Sequence, residues 1–106
     1  MPRYRFSDAA SRSFREIAHY SRKTFGDLRG RAYMAAILAV CDGIAGGGVV
    51  TRSCRAAFAD DLRDDLRFAR SGSHFVIFVV AANGVTIIDF LHQSADIGNR
   101  IGGPPE

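Results

Sequence analysis

The chain is poor in cysteine, almost without lysine, and has no long apolar run. Its two cysteines, Cys41 and Cys54, are too few and too far apart for a disulfide framework or a metal site. No apolar stretch approaches the ~20 residues that a membrane-spanning helix needs. The start MPRYRFSD lacks the apolar core of a signal peptide, and internal repeats are missing. These absences point to a soluble protein with the cytoplasm as its expected location, no membrane partner, and no expected cofactor or metal.

What is present fits one globular domain, expected over residues 1–106 with a flexible tail from about 102 to 106. The 47% apolar and 24% charged fractions are ordinary for such a fold. The net charge of +3 is unevenly placed. Residues 1–53 hold nine Arg/Lys against four Asp/Glu, and residues 54–106 hold five against seven. Thirteen of the fourteen cations are arginine. That side chain suits bidentate contact with carboxylate or phosphate, although a pI of about 9.3 does not alone establish nucleic-acid binding.

The organising stretch is Ser71 to Asp96, read as a long β-hairpin. Phe75 to Ala82 and Val85 to Leu91 are apolar, β-branched runs, and Asn83-Gly84 between them predicts a type I′ turn. Near-continuous apolar character predicts strands covered on part of both faces. His74 and His92 mark the outer ends of the hairpin.

Upstream, Tyr4-Arg5-Phe6 is a short strand candidate, Ser7 an N-cap, and Asp8 a favourable first-turn acid. A helix then runs to Phe25, with Phe14, Ile17, Ala18 and Phe25 on its core face. Arg12, Arg15, His19, Arg22 and Lys23 lie on the opposite face, which reads as solvated or as a seat for an acidic or phosphate partner. Gly26 is expected as an αL C-cap, with Asp27 capping a second helix that ends near Ala45. Tyr33, Met34, Ile37, Val40, Cys41 and Ile44 form the core stripe of that helix, giving an αα-hairpin.

Gly46 to Ala59 shows no period and reads as a mobile segment or a partner surface. Cys54 is expected to be exposed there, its thiolate favoured by neighbouring arginines. Asp60 to Arg67 reads as an exposed, locally paired turn rather than a metal loop. Leu66 to Ala69 opens a strand, and Gln93 to Ile101 is expected to hold a short helix. The fold class is α+β with two layers: an N-terminal strand, an αα-hairpin, and a three-stranded antiparallel meander with the helices on one face.

Ser71-Gly72-Ser73-His74, and Ile87-Ile88-Asp89-Phe90-Leu91-His92-Gln93-Ser94, are the most specific strings of the chain. With Tyr4-Arg5-Phe6-Ser7, Thr24-Phe25-Gly26 and the Asp60 to Arg67 string, their order and spacing resemble the ParE branch of the RelE/ParE toxin superfamily. The resemblance covers Tyr4 to about Ile101 and implies a RelE/ParE-like fold without enzymatic activity. It further implies a cytoplasmic toxin that traps the cleaved DNA complex of DNA gyrase, arrests growth and serves plasmid or genome stabilisation. A ParD-like antitoxin would neutralise it with a C-terminal segment, and contact with DNA would come only through antitoxin or gyrase. The chain departs from the family pattern at Phe25, where Trp is common, at Phe78-Val79, where Tyr-Arg is usual, and at Asp89, where Arg is common.

Arg67, Arg70, His74, His92 and Gln93 are the candidates for target contact, grouped at strand ends. Tyr20, Leu38, Phe58 and Leu62 lie off the main core stripes and are the candidates for antitoxin contact. Two other functions compete. A RelE-like messenger-RNA endonuclease needs acid–base groups and cations at the scissile phosphate, yet Gln93 to Asn99 holds neither Tyr nor a cation. A member that binds its antitoxin but has lost toxicity is suggested by Val79 and Asp89, which leave the sheet short of two arginines.

Overall fold

The computed structural model describes residues 4–101. The elements follow as β1 (Tyr4–Phe6), α1 (Asp8–Phe25), α2 (Asp27–Gly46), β2 (Arg52–Ser53), α3 (Cys54–Ala57), β3 (Arg67–Ser71), β4 (His74–Ala81), β5 (Gly84–His92) and α4 (Ile97–Ile101). The five strands form one sheet in the order β1-β5-β4-β3-β2. The predicted meander β3-β4-β5 is antiparallel, but β1 joins it parallel to β5, pairing Tyr4 with Val85 and Phe6 with Ile87. The sheet is therefore mixed, with the αα-hairpin packed on one face as the two-layer α+β class requires. The expected tail at 102–106 lies outside the described residues.

Ser7 caps α1 by accepting a hydrogen bond from the Ala10 N–H at 3.0 Å. Its hydroxyl donates to the Ile88 carbonyl at 2.6 Å, which ties the helix start to β5. Gly26 serves as C-cap of α1 and N-cap of α2, with φ 87° and ψ 167°, so it has positive φ without being αL. No side chain caps α2; Asp27 pairs instead with Arg22 at 3.3 Å. Gly30 then lets the helices close. A Cβ there would sit 2.9 Å from the Arg22 Cα, nearer than any side chain tolerates.

The helix-side core gathers Met34, Ile37 and Cys41 of α2 against Val76, Phe78 and Ile87 of the sheet. A second cluster on the other face holds Cys54, Leu62, Leu66, Phe68, Ile77 and Leu91, so the central strands are indeed covered on both sides. Strand β5 also carries a bulge. Ile77 pairs with Asp89 and Phe78 with Ile87, leaving Ile88 unmatched. The extra residue shifts the alternation, so Ile87 and Phe90 both enter the helix-side core while Ile88 and Leu91 pack on the other face.

Several local expectations are corrected. The stretch after α2 contains β2 and α3, and Ser53 caps α3 by accepting from the Ala56 N–H at 3.4 Å. Cys54 is fully buried, and its N–H donates to the Leu66 carbonyl at 3.0 Å. Burial pushes its thiol up to about 11 and outweighs the nearby Arg67 charge; Cys41 is pushed to about 12. The acids of the Asp60 to Arg67 stretch, by contrast, are exposed and locally paired as expected: Asp60, Asp61, Asp64 and Asp65 face solvent, and Arg63 pairs with Asp65 at 2.6 Å. The β4–β5 turn is not type I′. The pairing of Ala81 with Gly84 makes Ala82 and Asn83 its loop, and no described non-glycine residue has positive φ. No described helix is long and apolar enough to cross a membrane.

Candidate functional site

The central hairpin sets two histidines directly opposite each other, His74 on β4 and His92 on β5. Their rings meet edge to face with centroids 5.3 Å apart. Tyr33 of α2 approaches them from the helix side. Its hydroxyl lies 2.6 Å from His74 Nδ1, accepts the Ser73 N–H at 3.1 Å, and donates to the Ser71 carbonyl at 3.4 Å. All three contacts are satisfied together when His74 carries its proton on Nδ1, which leaves Nε2 as an acceptor. His92 has the opposite arrangement. Its Nδ1 accepts the Ser94 N–H at 3.0 Å and contacts the Ser94 hydroxyl at 2.7 Å, so its proton resides on Nε2. The pair thus offers one acceptor and one donor. Burial, and next the neighbouring His92, which would oppose a second positive charge beside it, lower the pKa of His74, which keeps it neutral at pH 7.

Gly72 makes this geometry possible. It takes φ 58° at the first position of the two-residue β3–β4 loop, the pattern of a type II′ turn. A Cβ would lie 2.7 Å from Tyr33 Cε1, so a side chain there would displace the ring.

Tyr20, Phe25, Arg29 and Tyr33 stand around the histidines and enclose a cleft of about 310 Å³. Tyr20 and Phe25 are 63% and 51% exposed, and the Arg29 guanidinium lies 5.8 Å from the centre of the Phe25 ring. A smaller hollow of about 240 Å³ continues past Glu16 and Ile17 and shares Tyr20 and both histidines.

The five target candidates do not form one cluster. Arg70 and Gln93 hydrogen-bond to each other, and Arg70 lies 5.9 Å from the ring of Phe75, which packs with the second core opposite the helices. Arg67 is separate again: it donates to the Thr51 carbonyl at 3.2 Å and to the Thr51 hydroxyl at 3.1 Å. The four antitoxin candidates scatter too. Tyr20 belongs to the histidine cleft, and Leu38 is 37% exposed on α2. Phe58 is half-buried against Phe68 and Phe75, with centroids 4.7 and 5.5 Å away. Leu62 is only 3% exposed and offers no docking surface, because it anchors the 58–66 segment in the second core. Sequence reasoning placed Tyr33 in the core stripe and overlooked Arg29. The available signal for Tyr33 was a hydroxyl in an otherwise apolar stripe, since such a group needs a partner once buried.

Other features frame the site. A wider cleft of about 450 Å³ lies along β3 where the short β2 ends, between Val49, Val50, Arg52, Phe68, Arg70 and Phe75. Asp89 accepts from the Ser13 hydroxyl at 2.6 Å and from the Phe90 N–H at 2.8 Å, so its charge is committed to α1 and to its own backbone. Among the described residues no group of three or more His, Cys, Asp or Glu could hold a metal ion.

No curated protein matches the chain. The family model described as the ParE toxin of type II toxin–antitoxin system, parDE, matches residues 4–97, from β1 to the first residue of α4. With that span comprising every strand of the sheet and both long helices, the chain belongs to the ParE toxin family of type II toxin–antitoxin systems.

Proposed function

We propose that this toxin acts in the cytoplasm on DNA gyrase, stabilising its cleaved DNA complex, and that a ParD-like antitoxin neutralises it. The observation that carries the reading is the family match across residues 4–97. Family membership implies an antitoxin partner. Gyrase and ParD are the specific partners proposed, with Arg70, Gln93 and the two histidines at the hairpin end on the target side and Leu38 on the antitoxin side. Action by binding rather than catalysis is supported at the histidine pair. Burial holds His74 neutral. A neutral His74 is not the cationic acid that phosphodiester cleavage needs for its leaving group.

A second reading, antitoxin binding without toxicity, draws on Asp89, whose carboxylate is bound to Ser13 where a family arginine would add positive charge. One experiment separates the readings: inducible expression without antitoxin, followed by incubation of the protein with purified gyrase and supercoiled DNA. Growth arrest with accumulated cleaved DNA is expected. Arrest with intact DNA and cut messenger RNA would favour the endonuclease. Absence of arrest from soluble, folded protein would favour the non-toxic binder.

A further inference from the structure

The outer face of α1 has no role in the reading above. Arg12, Arg15, His19, Arg22 and Lys23 are all exposed on it. Among the described residues only Arg22 has an acidic partner, Asp27. Arg12 to Lys23 span about 16 Å at 1.5 Å per residue. A hollow of about 440 Å³ between Arg12, Arg15, Glu16 and His19 adjoins, through Glu16, the one lined by Tyr20 and the two histidines. That hollow shares Tyr20, His74 and His92 with the aromatic cleft. Cations, exposed rings and a polar pair therefore follow one another along a single surface track.

Each part has a distinct use. A row of unpaired cations attracts phosphates. Exposed Tyr20 and Phe25 offer π-faces for stacking, and Arg29 lies against Phe25 as a further planar surface. With His74 protonated on Nδ1 and His92 on Nε2, the two rings lining the cleft would supply one acceptor and one donor, the polar complement that the edge of a nucleobase offers. Glu16, the one acid lining the track, accepts from exocyclic amino groups but repels phosphate, which favours a base rather than backbone at that point. An acidic peptide would use the cations and leave the ring walls and the donor–acceptor pair without a purpose.

We propose that this face binds single-stranded nucleic acid, with an unstacked base in the cleft beside Tyr20 and Phe25, reaching His74 and His92, and neighbouring phosphates along Arg12 and Arg15. The proposal shares the two histidines with the gyrase reading, but its test uses the protein alone, so the two fail separately.

The test is fluorescence anisotropy of the full chain with labelled single strands of about 12 nucleotides, within the usual range of single-strand sites. DNA and RNA strands of one sequence distinguish the sugar, and the duplex is the control. Single strands are expected to bind more tightly than duplex, and more weakly as salt rises. Tyr20→Ala is expected to weaken binding about 5- to 100-fold, with Tyr20→Phe restoring it. Arg12→Ala with Arg15→Ala is expected to flatten the log–log salt slope by about 1.4. The exposure of all three positions keeps the variants folded, which circular dichroism verifies. Absence of binding at low salt, equal binding of duplex, or a Tyr20→Ala protein that binds like the original would overturn the proposal. So would variants that leave strand binding intact while weakening binding of the cognate antitoxin, which would assign the face to a protein partner.

Discussion

Ser7 shows how much one side chain can join. It ends β1, caps α1 through the Ala10 N–H, and donates to the Ile88 carbonyl at the bulge, which its own strand would otherwise leave to water. Ser7→Ala removes the cap and orphans that carbonyl together, so a loss of about 1–2 kcal/mol in urea unfolding is expected. A loss below a few tenths would show that the two bonds carry little. His74 makes a second prediction at this scale. Its pKa lies below the ordinary 6.5 because burial and His92 oppose its charge. The unfolded chain therefore takes up a proton first as pH falls through about 6.5, and the folded state loses stability by at most about 1.4 kcal/mol per pH unit on that account. Unfolding midpoints at pH 7.5 and 5.5 should fall further for the original protein than for His74→Gln; equal falls would refute the assignment.

At the scale of elements, the helical hairpin depends on a close approach rather than on a cap. With Gly30 facing the Arg22 backbone, Gly30→Ala drives α2 away from α1 and is expected to cost about 1–3 kcal/mol, measured by thermal unfolding. An unchanged midpoint would mean that the helices slide apart freely. The two long helices were legible because each repeats its period over many residues, and the central strands because each is a continuous apolar, β-branched run beside Asn83-Gly84. Strand β2 has two residues and α3 four, too few to show a period, so the 46–59 stretch read as irregular and Cys54 as exposed. What buries Cys54 is nonlocal: the Leu66 carbonyl and a second core assembled from β3, β4 and β5. The two histidines were legible as hairpin ends, since turn and register bring them together. Their separation from Arg70 and Gln93 was not, because the face of each depends on where the turns and the Ile88 bulge fall. Tyr33 reads as core until its hydroxyl meets His74, 41 residues along the chain.

At the scale of the whole molecule, β1 is small but central to closure. Phe6 contacts Phe14 and Phe90 with ring centroids 5.4 and 5.1 Å away, and β1 covers one edge of β5. A chain beginning at Ser7 loses that aromatic anchor and exposes a strand edge. A loss of at least about 3 kcal/mol is expected, with aggregation visible by light scattering. A monomeric protein of unchanged stability would contradict this.

That same parallel pairing imposes an order in time. Tyr4 is synthesised before either helix, yet finds its partner only at Val85. On the ribosome, α1 and α2 have their local bonds early, but the sheet stays open at this edge until β5 has emerged. A transcript cut short before β5 yields a helical hairpin without its histidine pair or the strand that seals the core. The closed sheet exists only once β5 has been made, so any toxicity that depends on it begins after that strand emerges.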